Sequence, residues 1–228
     1  MIIALVCAQF AQAQTVDEVI DKYAAAAGGK EKLTAITSVY MQGVSVMNGN
    51  EITNTTYKVN DKLFRNEINF GMGTSVRLIT PDKGWNSNPR NGGVFAEMKP
   101  EQLAQSIHMM DCAGPLINYA AKGHKAELMG KDTVENMESY KIKLTTKGGK
   151  EIMYWIDSKT YLIDKISQKE NFGGREVELG TFYKDYKAVD GIMFPFTAEL
   201  KGGFGNSEMT FEKIELNKPV DAKLYKPE

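Results

Sequence analysis

The hydrophobic positions of this chain follow a period of two over most of its length. Four such runs, at about 38–47, 51–59, 62–70 and 74–80, are separated by short segments rich in Asn, Asp, Gly and Pro. Seven more lie at about 124–131, 138–146, 150–157, 161–169, 175–186, 192–201 and 207–216. Alternation between turn-rich segments is typical of antiparallel strands. The pattern therefore predicts about eleven strands.

Three segments show helical spacing instead. Thr15 and Glu18 have the spacing of a capping box, and an apolar stripe at helical spacing follows them. A short second helix is predicted at 30–36, after the Gly-Gly pair that ends the first. The third segment begins at Pro100 and continues its apolar stripe to Met110.

These elements predict the fold class. Segment 151–156 is apolar on both faces, which is typical of a central strand covered on both sides. A sheet of about eleven strands must curl, and its apolar face needs a cover. Three helical segments are few for that task, so the sheet should enclose a large core or a cavity. We predict a mainly β (α+β) fold, with a single large curved antiparallel sheet in one domain at 14–228.

Residues 1–13 differ from the rest of the chain because they carry no charge. Their apolar run is too short to span a bilayer, and they end in Ala11-Gln12-Ala13, the small-x-small pattern of a signal-peptidase site. We predict a signal peptide at 1–13 whose basic start is truncated, since no Lys or Arg precedes the apolar run. The alternative is a buried N-terminal strand.

The cysteines fit an exported, soluble protein. Cys7 follows Val6 rather than the small residue that precedes a lipoprotein cleavage site. Removal of the leader would leave Cys112 alone, and one cysteine forms no intramolecular disulfide. No later segment approaches 18 uninterrupted apolar residues, so no membrane-spanning helix is expected.

Composition and charge narrow the function classes. The 228 residues include 28 basic and 29 acidic side chains, so no basic excess is present to neutralise nucleic-acid phosphates, and we expect no nucleic-acid partner. Two histidines cannot build a three-histidine zinc site, and no zinc-binding, phosphate-loop or nucleophile-elbow motif occurs. We therefore expect neither a metal nor a cofactor. The chain also contains 12 Met, 10 Phe and 10 Tyr, a surplus of large, adaptable apolar side chains that must be buried in a core or line a binding surface.

His108 and Cys112 are the one pair that could carry catalysis. They are four residues apart, which would place them on one helical face and allow a histidine-activated thiolate. Buried cysteine, however, commonly packs as a small hydrophobe, and the neighbouring Met109 and Met110 favour packing. We predict no catalytic residues, with a hydrolase or thiol enzyme as the alternative.

Five segments carry a resemblance through their order and spacing: Tyr57–Phe64, Leu78–Pro89, Tyr154–Leu162, Val189–Pro195 and Asp221–Tyr225. Together they resemble the periplasmic lipoprotein carriers and outer-membrane lipoprotein-sorting proteins (LolA/LolB-like). The resemblance implies an eleven-stranded half-barrel whose helices cover a concave apolar face that holds acyl chains. It also implies a periplasmic, non-enzymatic carrier or chaperone. Its partners would be lipid or lipoprotein acyl chains, with an outer-membrane acceptor or an inner-membrane donor protein.

The chain departs from that family at one position. The carriers place an Arg before the Pro-Asn of a strand entry, where it hydrogen-bonds the covering helices and latches the cavity. Here those positions are Val59 and Asn60, and neither Arg65 nor Arg77 inherits the role.

Alternation along the strands predicts which residues line the cavity. A register slip of one residue would move them to the opposite face of the sheet. The predicted cavity residues are Phe64, Ile68, Phe70, Val76, Leu78, Phe194 and Phe196, with Met109 and Met110 on the lid. The alternative to a carrier is a cell-envelope sensor or protein-interaction module on the same fold.

Overall fold

One antiparallel sheet organises the molecule. The computed structural model describes residues 14–47, 49–172, 174–202 and 206–227, so the predicted signal peptide at 1–13 lies outside the described residues. The strands are β1 (Ser38–Met47), β2 (Asn50–Val59), β3 (Leu63–Asn69), β4 (Thr74–Ile79), β5 (Gly84–Ser87), β6 (Ala96–Glu97), β7 (Lys125–Val134), β8 (Met137–Thr145), β9 (Glu151–Asp157), β10 (Ile163–Phe172), β11 (Arg175–Val189), β12 (Ile192–Gly202) and β13 (Ser207–Leu216).

The strand order is β6-β5-β4-β3-β2-β1-β13-β12-β11-β10-β9-β8-β7. Strand β1 pairs with both β2 and β13, which joins the two halves of the chain into a single sheet. All eleven predicted strands are present. Strands β5 and β6 were not predicted, because runs of four and two residues are too short to show alternation.

The sheet is strongly curved. Met41 on β1 and Lys58 on β2 line the same small cavity as Tyr154 on β9 and Ile166 on β10. In the strand order, β2 and β9 are six spacings apart, which is roughly 29 Å in a flat sheet at about 4.8 Å per strand. Only a sheet curled on itself brings these residues together. The face that carries them is therefore the concave one, here called the inner face.

Helices and turns cover this inner face. They are α1 (Val16–Ala26), α2 (Lys30–Thr34), α3 (Pro100–Ser106) and a 3-10 turn at Ile107–Met110. The predicted capping box begins α1: the Glu18 N–H donates to Thr15 Oγ1 over 3.2 Å, and the Thr15 N–H donates to Glu18 Oε2 over 2.9 Å. Two of the backbone groups that a helix start leaves unpaired are satisfied in this way.

Helix α1 contributes to two clusters of the buried core. Its buried Val19 and Ile20 pack on apolar inner-face residues of β8 and β9, which are Ile142, Leu144, Ile152, Tyr154 and Ile156. Burying each large aliphatic side chain stabilises the fold by about 1.5–3 kcal/mol relative to its exposure. This packing fixes α1 across one side of the curved sheet.

Strand β9 is covered on both faces, as its apolar pattern predicted. On the outer face, Trp155 is only 6% exposed. The ammonium groups of Lys141 and Lys165 lie 5.1 Å and 4.3 Å from its ring centroid, and its indole N–H donates to Asp132. Cations over an indole face gain electrostatic attraction while their stems exclude water.

Two glycines allow helices to approach the turns at the rim of the sheet. Any side chain at Gly28, where φ is 123°, would clash with the Gly191 carbonyl in the β11–β12 turn. A side chain at Gly148 would clash with the carbonyl of Ala104 in α3. These contacts set how closely the helical cover sits on the strands.

The chain end returns to the outer face. Arg65 on β3 is 8% exposed and donates to the backbone carbonyls of Leu224 and Lys226 over 3.3 Å and 3.1 Å, and to Glu67 Oε1 over 2.6 Å. Arg65 therefore fixes the C-terminal segment against β3. Within the described residues, every helix is too short or too polar to cross a membrane.

Candidate functional site

A cavity of about 270 Å³ lies between the inner face and its helical cover, and it is called the inner cavity below. The cover contributes Tyr23, Ala27, Leu33, Ile36, Cys112, Ala113, Pro115 and Leu116, and the sheet contributes Met41, Lys58, Tyr154, Ile163, Ile166, Tyr183, Tyr186, Met193 and Phe194. Most of these side chains are apolar. The cavity therefore offers a surface suited to hydrocarbon rather than to a polar substrate.

Four tyrosines give this apolar wall a small number of polar groups. The Tyr186 hydroxyl donates to the Ile163 carbonyl over 2.8 Å. The hydroxyls of Tyr23, Tyr154 and Tyr183 make no hydrogen bond within the described part of the chain. Burial raises the pKa of Tyr23 and of Tyr183 to about 12 and that of Tyr154 well above its ordinary value. All four are neutral phenols at neutral pH.

Lys58 is the charged residue of the inner cavity wall. It lies on β2 beside Phe64 of β3, with its ammonium 5.9 Å from the centroid of the Phe64 ring. No ion pair or hydrogen bond of this ammonium occurs among the described residues. Burial lowers the pKa of Lys58, and the nearby Cys112 and Asp111 partly oppose that shift.

A second cavity of about 540 Å³, the rim groove, lies where β3–β5 face β10 and β11 across the curve of the sheet. Its apolar residues are Phe64, Ile68, Val76, Val94, Met109 and Leu179, and its polar ones include Asn66, Arg77, Asn86, Gln168 and Glu170. The groove is amphipathic, with an apolar side and a hydrophilic side.

The structure brings part of the predicted cavity set together. Phe64, Ile68, Val76 and Met109 line the rim groove, and Phe194 lines the inner cavity. Met110 is buried against Phe64 and Ile79. Met109 and Met110 therefore lie beside Phe64, and the assignment of these residues to a ligand cavity stays a prediction.

The other predicted residues lie elsewhere. Phe70 follows the end of β3 and is 37% exposed. Leu78 is fully buried but pairs with Arg65, on the face of β4 opposite to Ile79. Phe196 lies under the ammonium of Lys187, which is 4.7 Å from its ring centroid. None of the three lines the inner cavity or the rim groove.

Sequence reasoning missed Lys58 and the tyrosines. The inner face of β2 also carries Thr56 and Asn54, so its alternation gave no sign that Lys58 faces an apolar cavity. Tyr154 and Tyr183 occur in correctly predicted strands. Nothing in the pattern indicated that both line one cavity.

The pair His108 and Cys112 lacks the geometry of a thiol enzyme. No hydrogen bond joins them within the described residues, and the buried His108 Nδ1 has no partner there. Burial lowers the pKa of His108 to about 4 and raises that of Cys112 to about 11, which favours a neutral imidazole and an unreactive thiol. The described residues also hold no group of three or more His, Cys, Asp or Glu side chains placed to bind a metal.

The covering segment, residues 107–123, is tied to the sheet by Asn60. The Cys112 N–H donates to Asn60 Oδ1 over 3.1 Å. Asp111 braces the segment itself, because it accepts from the Ala113 N–H and from the ammonium of Lys122. A side-chain hydrogen bond therefore joins the β2–β3 turn to the cover.

Comparison by sequence finds no matching family model and no matching curated protein. Comparison of structures finds a DUF1329 family protein from Desulfovibrio piger, with a TM-score of 0.59, 13% identity, and coverage of 94% of this chain and 98% of that one. A LolA superfamily protein from Nitrosomonas europaea has a TM-score of 0.58, 12% identity and coverage of 94% and 98%.

A domain from Vibrio parahaemolyticus, assigned to outer membrane lipoprotein sorting, has a TM-score of 0.53, 10% identity and coverage of 91% and 94%. Identities at this level establish the fold and not the activity. The chain therefore has the LolA-like half-barrel fold, and the resemblance to the lipoprotein carriers is confirmed at the level of the fold.

Proposed function

We propose that this protein binds acyl chains of lipids or lipoproteins in the inner cavity and the rim groove, without catalysing a reaction. The observation that carries the proposal is the mainly apolar inner cavity between the helical cover and the curved sheet. If this space belonged to an ordinary structural core, side chains would fill it, since protein interiors hold few voids larger than a water molecule.

The physical basis of binding is burial of hydrocarbon. Each methylene removed from water contributes about 0.8 kcal/mol, so a chain of several carbons provides useful affinity without specific contacts. Met41, Met109 and Met193 lie in the walls of the two cavities, and unbranched methionine adapts its shape to varied ligands. The combined features fit a carrier that accepts related chains.

The wider biological role follows from the same proposal. An exported periplasmic carrier or chaperone in outer-membrane lipoprotein sorting would receive its cargo from an inner-membrane donor and deliver it to an outer-membrane acceptor. The sorting domain from Vibrio parahaemolyticus and the LolA superfamily protein from Nitrosomonas europaea support this role through their shared fold. Cargo release would require the covering segment to move, and the bond between Asn60 and Cys112 would then break.

Native mass spectrometry of the protein purified from its own host, followed by organic extraction, tests the proposal. We expect co-purified lipid, and saturable binding of the apolar dye N-phenyl-1-naphthylamine. Met41→Trp should fill the inner cavity and weaken dye binding, whereas the control Lys213→Trp, on the exposed side of β13, should not. Recovery of no lipid together with no dye binding would contradict the proposal.

A further inference from the structure

Lys58 places a positive charge in a wall that is otherwise mainly apolar. Its strand neighbours on the inner face are Val39 and Phe64, both buried hydrophobic residues. Lys58 is half-buried, and its ammonium has no hydrogen-bond partner among the described residues. An ammonium beside apolar groups is less well hydrated than one in open water, so an anion that enters the cavity would pair with it favourably.

The described residues do not supply that anion. Asp111 is the carboxylate that acts on Lys58, but its oxygens already accept from the Lys122 ammonium and from the Ala113 N–H. Two other titratable groups of the covering segment, Cys112 and His108, interact electrostatically with Lys58. Both are neutral at neutral pH, because burial raises the pKa of the thiol and lowers that of the imidazole. Lys58 lines the inner cavity, and its ammonium has no ion-pair partner among the described residues.

Additional hydrogen-bond donors line the same cavity. The hydroxyls of Tyr23, Tyr154 and Tyr183 all belong to its wall and have no partner in the described part of the protein. Buried tyrosine hydroxyls usually find a partner. A cationic group and three unpaired hydroxyls give an apolar cavity the polar groups that would recognise one end of an amphiphile.

We propose that the inner cavity binds a single-chain anionic amphiphile, with the Lys58 ammonium as the counter-ion of its acid group. The acid group would be a carboxylate or a phosphate, both of which offer negatively charged oxygens to an ammonium. The chain of the ligand would lie along the apolar wall towards Met41 and Phe194. This inference rests on the proposed function, because it specifies the polar end of the ligand that the cavity holds.

Isothermal titration with three ligands of equal chain length tests the inference: dodecanoic acid, its methyl ester and dodecyl phosphate. Hydrogen bonds to charged groups contribute about 1.5–3 kcal/mol, so we expect the wild type to bind an acid at least about tenfold more tightly than the ester. The comparison of dodecanoic acid with dodecyl phosphate identifies which acid group the cavity prefers. Lys58→Met should abolish the preference for acids and leave ester binding unchanged or stronger.

A second measurement separates a ligand anchor from a structural lysine. Lys58→Met removes an unpaired charge from an apolar wall, so its midpoint of thermal unfolding should rise above that of the wild type. The control Lys213→Met makes the same chemical change at an exposed lysine on β13, and should alter neither the acid preference nor the midpoint by much. A lower midpoint for Lys58→Met would indicate a structural lysine and overturn the inference.

The binding outcomes distinguish the two proposals. Equal affinity of the wild type for acid and ester, or an acid preference that persists in Lys58→Met, overturns the anchor and leaves acyl-chain binding standing. Failure of all three ligands to bind overturns acyl-chain binding and the anchor together. The wild-type comparison gives a result even if Lys58→Met does not fold.

Discussion

At the residue scale, the polar groups of the inner cavity differ in whether the protein itself satisfies them. The Tyr186 hydroxyl has a backbone partner, whereas that of Tyr183 on the same strand has none in the described residues. Removal of a hydroxyl should therefore lower the free energy of unfolding only where a protein hydrogen bond is lost. Such a bond contributes about 1 kcal/mol.

Tyr186→Phe should therefore lower the free energy of unfolding by about 1 kcal/mol. Tyr183→Phe, its matched control at a similarly buried position, should be neutral or slightly stabilising because no protein hydrogen bond is lost. Urea unfolding of the ligand-free proteins measures both values. An equal loss in the two variants would show that Tyr183 has a partner that the structure does not contain.

His108 should make the fold sensitive to acid. Burial lowers its pKa to about 4 from an ordinary value of 6.5, so between these values the unfolded chain binds a proton that the folded protein does not. Stability is thus fully present above pH 6.5 and falls as the pH drops towards 4. The loss from this one residue should reach about 2 kcal/mol at pH 4.5.

His108→Gln separates the contribution of His108 from other causes of acid instability. Glutamine does not titrate, and the carboxylates that also take up protons in acid are the same in both proteins. Urea unfolding at pH 7 and pH 4.5 should show a loss of stability about 2 kcal/mol smaller in the variant. The same loss in both proteins would mean that His108 is accessible to protons when folded.

At the scale of elements, the covering segment is held to the sheet by apolar packing of Met110, Leu116 and Ile117 and, within the described residues, by a hydrogen bond to the Asn60 side chain. Asn60 lies in the β2–β3 turn and accepts from the Cys112 N–H over 3.1 Å, while Cys112, which belongs to the cover, is partly buried and lines the inner cavity. Cys112 reactivity therefore reports whether the cover is closed. Local opening would expose the thiol to reagent and relieve the burial that raises its pKa.

Asn60→Ala should raise the rate of Cys112 modification by 5,5′-dithiobis(2-nitrobenzoic acid) by about tenfold, the equivalent of about 1.4 kcal/mol in the opening equilibrium. Asn69→Ala is the matched control. It makes the same chemical change at an exposed asparagine at the end of β3, which accepts from the Gly71 N–H and makes no bond to the covering segment within the described residues, and the Asn60 bond to Cys112 is kept. Equal rates in Asn60→Ala and the wild type would show that other contacts close the cover.

The elements also differ in whether the local sequence pattern predicts them. Strands such as β3 and β12 were predictable because their alternation runs for seven or more residues, and α1 because its capping box precedes an apolar stripe. Strands β5 and β6 are stabilised by pairing with β4 and with each other rather than by a pattern of their own. Their existence depends on contacts that local periodicity does not encode.

The candidate site was harder to predict than the strands for a related reason. Phe64 and Phe194 were assigned to the cavity because they lie on apolar strand faces, and each lines a cavity. Leu78 has the same local pattern but faces Arg65, since the register of β3 with β4 pairs Phe64 with Ile79. Lys58 gave no apolar signal at all. Curvature brings β2 and β9 to one cavity, and curvature is a property of the whole sheet.

At the scale of the whole molecule, the curved sheet is held from both sides. The helical cover packs on the inner face, and the C-terminal segment is fixed to the outer face of β3 by Arg65. If the inner cavity opens to exchange ligand, the outer contact should stay in place, because Arg65 lies on the face of β3 opposite to Phe64, which packs against the cover. Stability of the half-barrel and mobility of its cover would then be separate properties.

Arg65→Met tests that separation. The change removes three hydrogen bonds and leaves Glu67 without its partner, so we expect the free energy of unfolding to fall by about 3 kcal/mol, with faster backbone hydrogen exchange at 222–226. The control Arg77→Met removes only a 3.3 Å bond to Asn86 on the inner face and should cost less than about 1 kcal/mol. Because the cover is not involved, the Cys112 modification rate under native conditions should stay near the wild-type value in both variants. A large rise in that rate for Arg65→Met would show instead that the outer contact controls the opening of the inner cavity.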